Sequence, residues 1–452
     1  MLSLDLTEYI SKLAMEYRME DDEDDSEWQR KWPLVLTGPA GCGKTHAVIK
    51  YCSSRKTSYY FSFKNISTAL ALRLFPEYYP DILDECPDWE CFFEKLRVHI
   101  GNTRQAVIVF DDWDERKIDE SFLIELNNML GKQEKRNIFA ILLARKTPVR
   151  SECFCQELIT LNPAKIKRTF RNLTMEDVLR LYAVSGGYTG LMSFYDPEKV
   201  FDENLSWMFD PKSHYFRSAE DQMKDLFRAP ESYSAILYAM ATERHKLKDI
   251  ASFAGFSLNK CEKYLRSLMQ EGIVHKEKIK SDDLRSCVKY DIASSYLKLW
   301  SRFLLGKSDI DEFFDRGSES IKEYIDNALV RDAFRRECFI WAGKRESSLL
   351  YPSRILTEIQ SNHDVKVGDM VFDFVQRKRD RMLVMKIWTD QNTSYGNDEF
   401  EKIAAETEKE LPFYNTEFFL FSIRRFSDSM WKVANRYDNV HLIESRFLSG
   451  DR

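Results

Sequence analysis

"LVLTGPAGCGKTHAVIKYC", Leu34 to Cys52, decides the fold of the first part of this 452-residue chain. Leu34, Val35 and Leu36 form a short apolar run after Pro33, as a buried strand would. Gly38, Pro39, Ala40, Gly41, Cys42, Gly43, Lys44 and Thr45 then satisfy G-x-x-x-x-G-K-[ST], the phosphate-cradling P-loop. Glycines at these places let successive backbone N–H groups turn toward one anion. A helix beginning near Lys44 and carrying His46 adds the positive end of its dipole. Lys44 can reach the outer phosphates, and the Thr45 hydroxyl can sit on Mg2+. The segment from Gly38 to His46 is therefore the expected binding site for a nucleotide with its magnesium ion.

Outward from the loop, strands alternate with helices. "SYYFSF" (Ser58–Phe63), "AVIVFDDWDE" (Ala106–Glu115) and "IFAILLAR" (Ile138–Arg145) are strand-like, with helical spacing between them. This pattern predicts a three-layer α/β domain around a mostly parallel sheet. Magnesium needs a carboxylate at a neighbouring strand end. Asp111 is the expected ligand, usually through water, and Asp112 the group that would polarise an attacking water. Asp112 is one methylene shorter than glutamate, which implies slow turnover, suited to a switch. Arg145 closes the next strand, where its cation could touch the terminal phosphate, with Lys146 as a fallback. A surface Arg merely capping the strand is the competing account.

Composition bounds the rest. Hydrophobic residues make up 44% and charged residues 31%, as in a water-soluble globular protein. A net charge of −6 provides no overall basic field, so any nucleic-acid contact needs a local patch. Nine cysteines without C-x-x-C pairing, and seven scattered histidines, point to reduced thiols and no zinc cluster. No apolar run approaches a membrane span, and the first residues lack a signal-peptide segment, so a cytoplasmic location is expected. Residues 2–18 have helical spacing, and Glu20–Glu27 is an acidic block, expected to be a solvated loop.

The second half changes character. Helices dominate from Leu173 to Phe227, broken at Gly186-Gly187. Lys246–Ala254 and Asn259–Gln270 are spaced as a helix-turn-helix with Gly255 in the turn. The second helix would offer Asn259, Lys260, Lys263 and Arg266 to a DNA major groove, and "GIVHKEKIK" would form a wing. The competing account is a domain that only packs on its neighbour. Beyond residue 345 strands return, at Met370–Gln376, Met382–Trp388, Glu417–Ser422 and Val440–Ile443.

In this order the features resemble the archaeal-type AAA ATPases of the STAND class, from about Pro33 to Leu448. "YAVSGGYTGLMSFYD" (Tyr182–Asp196) is similar to that family's lid segment Y-x-v-x-GG-x-P-x-Y-L-x-x-f. "VKYDIASSYLKLWSRFL" (Val288–Leu304) is similar to its Y-x-i-x-D-x-x-x-x-F-W-x-x-F. Thr189 stands where the family has a base-packing proline, Ala293 replaces an Asp, and the family's F-x-G-R-x-x-E signature is absent before the P-loop. The resemblance implies a multidomain α/β chain: a P-loop sheet of AAA+ type, a helical lid, a winged helix and a C-terminal nuclease-like α/β domain. The corresponding boundaries are 1–30 for an N-terminal helix and acidic loop, 31–165 for the ATPase core and 166–228 for the lid. The winged helix follows at 229–305, a helical linker at 306–340 and the nuclease-like domain at 341–452. It also implies ATP as the nucleotide, weak ATPase activity, and room for a nucleotide-dependent homo-oligomer.

Restriction-type nucleases hold metal with an Asp on one strand and E-x-K on the next. Relatives in which that site looks intact have E-I-D-x-V and G-E-C-K-W. This chain offers Asp369 and Lys386, but Val384 stands where the second acid belongs, and valine cannot ligate metal. Asp373 shares a face with Asp369 without restoring the usual spacing. An inactive nuclease fold is the expectation. Three functions stay open: an ATP-dependent switch, a DNA-binding regulator with a structural nucleotide, and a metal-dependent nuclease.

Overall fold

Alternate residues of one strand face opposite layers, and Ala106–Trp113 (β3) is apolar on both sides. Val107 and Val109 pack toward the helix Lys44–Ser53 (α1), with Leu34, Leu36, Ile141 and Leu143. Ile108 and Phe110 point the other way, into an aromatic cluster of Phe61, Phe63, Phe75, Trp89, Phe92, Phe93 and Phe122. The computed structural model describes residues 33–38, 42–55, 57–101, 106–114, 117–132, 138–146, 148, 153–157, 160–210, 213–280, 286–306, 319–344, 365–367, 370–378, 381–389, 395–410 and 415–448. The expected helix at 2–18, the acidic block Glu20–Glu27, Pro39, Ala40, Gly41 and Asp369 lie outside these described residues.

The chain divides into two compact units, 1–160 with 188–193, and 161–187 with 194–452. In the first, Leu34–Thr37 (β1), Ser58–Ser62 (β2), β3, Ile138–Ala144 (β4) and Phe154–Glu157 (β5) form one parallel sheet of order β2-β3-β4-β1-β5. β4 is inserted between the P-loop strand and β3. Helices Thr68–Tyr78 (α2), Trp89–Ile100 (α3) and Glu120–Gly131 (α4) cover the aromatic face. The side chains of Ser67, Asp88 and Asp119 cap their N-termini by accepting backbone N–H bonds. β5 is a strand the sequence did not announce: "FCQE" has no clear alternation, and its place comes from pairing with β1.

The second unit begins with helices Pro163–Thr169 (α5), Met175–Ser185 (α6), Phe201–Met208 (α7) and His214–Leu226 (α8). The Arg180 guanidinium on α6 grips Asp326 through two bonds of 2.8 and 3.0 Å. Three helices follow, Pro230–Ala241 (α9), Leu247–Phe253 (α10) and Leu258–Gln270 (α11), then an antiparallel ribbon of Val274–Lys280 (β6) and Ser286–Ile292 (β7). Gly255, in the turn between α10 and α11, has φ +69°, a conformation glycine adopts without strain. Ser295–Leu299 (α12) and Arg331–Lys344 (α13) each adjoin a π-helical turn.

The last part contains Val365–Val367 (β8) paired with Met370–Phe372 (β9), then a four-stranded sheet. Phe374–Lys378 (β10) runs antiparallel to Arg381–Trp388 (β11), and β11, Asn415–Ser422 (β12) and Val440–Glu444 (β13) are mutually parallel neighbours. Helices Asn397–Glu410 (α14) and Asp428–Ala434 (α15) make the two crossovers. The single strand expected at Met370–Gln376 is divided at Asp373, between β9 and β10.

Phe110 is fully buried, stacked on Phe61 at 5.2 Å and edge-on to Phe122 at 4.9 Å. Phe110→Ala should destabilise the P-loop unit by about 3–5 kcal/mol. Urea unfolding should show this as a lower midpoint with an unchanged slope.

Candidate functional site

The period of β3 places Asp111 on the face of α1, since it continues the series Val107, Val109. α1 starts at Lys44, so Thr45 in its first turn meets that carboxylate. Thr45 Oγ1 donates to Asp111 Oδ2 at 2.9 Å. β2 lies in register beside β3, with Tyr60 opposite Val109 and Ser62 opposite Asp111. The Tyr60 hydroxyl also donates to Asp111 Oδ2. Burial, and then this bond to a carboxylate, raise the Tyr60 phenol well above its usual range, so it stays protonated and a donor. The backbone N–H of Asp112 completes the set by donating to Asp111 Oδ1 at 2.7 Å.

Between Phe110 and Trp113 the register with β4 slips: three steps on β3 face two on β4, from Leu142 to Ala144. This bulge re-aims the strand end. Asp112 takes φ +57°, a left-handed conformation in which short polar side chains are enriched. Its carboxylate lies 3.6 Å from Arg145 Nε, both side chains being about one-third exposed (32% each). Arg145 follows β4 directly, and β4 is the strand between β1 and β3.

Lys44 is buried, with its ammonium donating to the Gly38 carbonyl at 2.6 Å and to Cys42 Sγ at 3.5 Å. Gly43 has φ +90°. A Cβ there would come within 2.7 Å of Thr189 Oγ1 and 3.3 Å of Gly190 N, so only glycine fits. Thr189 Oγ1 in turn donates to the Cys42 carbonyl. The turn Thr189–Met192 is thus pinned on the P-loop by the residue standing where the resembled family has proline. His46 is exposed on α1. A cradle closed to any Cβ, a buried ammonium and a hydroxyl–carboxylate pair suit a phosphate chain with a divalent cation. Tyr60 and Thr189 were missed as site residues, because their roles depend on strand order and on a contact 147 positions away in sequence.

Elsewhere, Asn259, Lys260, Lys263 and Arg266 are all exposed on α11, while Cys261, Leu265 and Leu268 face inward. Lys260 Nζ lies 4.4 Å over the Phe256 ring, and Arg266 pairs with Glu262 at 2.8 Å. In the C-terminal sheet, Lys386 Nζ donates to the Val371 carbonyl at 2.6 Å, and Val384 is fully buried. Asp373, rather than a metal, has protein partners: Oδ2 accepts the Ile387 N–H at 2.7 Å, and Oδ1 faces Arg335 Nε at 3.4 Å. Among the described residues no helix is long and apolar enough to cross a membrane.

No family model matches the chain. Over 293 residues it is 21% identical to an uncharacterized protein of Methanocaldococcus jannaschii, covering 60% of this chain. The match spans 64% of that relative, less than two thirds of its length. Among solved structures, the Aeropyrum pernix ORC1 protein in complex with DNA is similar at 10% identity and TM-score 0.33, over 65% of this chain and 90% of that one. Drosophila ORC bound to DNA follows at 13% and 0.28, over 65% and 85%. A point variant of Thermotoga maritima RuvB gives 12% and 0.28, over 63% and 91%. Likeness this distant carries neither fold nor function, and the parallel P-loop sheet stands on its own strand order and site geometry.

The backbone at Asp112 separates two substitutions. Asp112→Asn tolerates positive φ and loses only a half-exposed ion pair, so stability should change by less than about 1 kcal/mol. Asp112→Val puts a β-branched residue in the same conformation and should cost about 1–3 kcal/mol by chemical denaturation.

Proposed function

We propose that this chain is an ATP-binding P-loop switch of AAA+ type with slow hydrolysis. The bond from Thr45 to Asp111 carries this reading, because it joins the start of the P-loop helix to the acid strand where a nucleotide's metal would sit. Lys44 would hold the outer phosphates, and the N–H groups of the P-loop would cradle them. Bound there, Mg2+ would neutralise charge developing on the transferred phosphoryl group. Asp112 would orient a water, and Arg145, beside it, would register the terminal phosphate.

The lid turn at Thr189 supports a switch. It bonds directly to the P-loop, so a change in loop conformation must be felt there. The C-terminal sheet would serve recognition or assembly, since Asp373 is already used by Arg335 and Ile387 and Val384 offers no ligand.

Titration calorimetry tests the central claim. Lys44→Ala should weaken ATP·Mg2+ binding by at least about tenfold (1.4 kcal/mol) at a temperature where a melting curve shows the variant still fully folded. The wild-type chain should turn over below about 1 per second, the low end of enzyme rates. Unchanged affinity in the variant would end the proposal.

A second reading has its own support. Three helices followed by an antiparallel ribbon are the parts of a winged helix, and α11 exposes its polar and basic side chains on one face. On this reading the domain binds duplex DNA and the nucleotide is structural. Gel shifts with duplex DNA should then weaken steeply with salt and vanish on reversing the charges of Lys260, Lys263 and Arg266. A shift indifferent to those changes would eliminate it.

A further inference from the structure

β12 and β13 are parallel neighbours whose last residues, Ser422 and Glu444, are register partners, so both strands end level. Ligands of open α/β sheets gather outside the carboxyl ends of such strands. Here that position is a cleft of about 700 Å³, lined by Arg424 and Arg425 after β12, Arg446 after β13, and Lys167 and Glu176 from the α5–α6 region. The size lies within the roughly 300–1,000 Å³ typical of small-molecule sites.

The walls are fixed by buried polar bonds. Ser445 Oγ donates to the Ile423 carbonyl at 2.6 Å, tying the two strand exits together. Glu444, almost completely buried, accepts the Phe426 N–H at 3.0 Å and the Trp431 indole N–H at 3.3 Å. Arg446 Nε lies 2.6 Å from its other oxygen. Arg424 and Arg425 are therefore presented from an anchored loop with their side chains exposed. The second carboxylate of the lining, Glu176, sits 3.3 Å from Arg180. Four cations against two carboxylates make this a positive pocket in a chain of net charge −6.

We propose that this cleft binds a small phosphorylated molecule, its phosphate held by Arg424 and Arg425. Guanidinium forks match phosphate oxygens two at a time, which suits them to this role. The two carboxylates in the wall favour a compact ligand over a continuous nucleic-acid backbone. The site involves none of the P-loop residues and stands independently of the nucleotide reading.

The test uses the full chain carrying Lys44→Ala, which weakens P-loop binding, and the arginine variants separate the cleft from what remains of it. Inorganic pyrophosphate and a 5′-phosphorylated dinucleotide are titrated by calorimetry at low salt. At least one should bind with Kd below about 1 mM, and Arg424→Glu with Arg425→Glu should weaken it by more than about tenfold. Arg424→Lys with Arg425→Lys, which keeps the charge and loses the fork, should bind more weakly than the wild type and more tightly than the glutamate pair. If charge reversal lowers the melting temperature, Arg424→Gln with Arg425→Gln provides the same readout. No heat with either probe, or binding indifferent to both arginines, would overturn the proposal. So would arginine-dependent binding of a 20-base-pair duplex alone, which would make the cleft part of a nucleic-acid surface.

Discussion

One carboxylate organises the P-loop unit. Asp111 takes hydrogen bonds from the Thr45 hydroxyl, the Tyr60 phenol and the Asp112 backbone N–H. These donors come from α1, β2 and β3, three elements that meet only if the sheet has formed in its parallel register. A charge that gathers three donors in a half-buried setting is held in one rotamer. The arrangement of Thr45, Tyr60 and Asp111 is therefore built by the sheet. The aromatic layer on the opposite face of β3 supplies the stiffness this needs, with Phe61, Phe110 and Phe122 interlocked at ring separations near 5 Å.

Against that rigid background, the candidate site holds several departures from regular backbone. The bulge on β3, the positive φ of Asp112 and the φ +90° of Gly43 all lie within the site. The left-handed conformation of Asp112 costs conformational energy, and such costs persist only where the surroundings over-determine the local structure. Arg145 enters the same region through topology alone: because β4 lies between β1 and β3, the residue after its last strand position cannot avoid the acids.

How much of this was legible in the sequence follows from what each feature depends on. β1, β3 and β4 are long or purely apolar runs, and the P-loop is local chemistry at fixed spacing; both kinds of signal survive without knowledge of the fold. The roles of Asp111 and Lys44 follow from the same locality. Tyr60 does not, since its hydroxyl matters only when β2 is known to pair with β3. Thr189 reads as a departure from a family proline, whereas in the fold its hydroxyl is a clasp on the Cys42 carbonyl. β5 escaped because four residues without alternation carry no period, and its identity lies in pairing with β1. The split at Asp373 escaped because an acid inside an apolar run looks like a surface position until its partners are known.

Those partners bear on what the C-terminal sheet can do. Metal ligation needs a carboxylate whose lone pairs are available and a second acid nearby. Asp373 has one oxygen on the Ile387 N–H and the other facing Arg335, and removing Arg335 would strand a buried charge. The Lys386 ammonium is likewise engaged by the Val371 carbonyl. Asp373 and Lys386 thus serve as internal fastenings between α13, β9 and β11. At the far ends of β12 and β13 the exposed charged residues are Arg424, Arg425 and Arg446. Strand ends that present arginines in this way are suited to holding an anion.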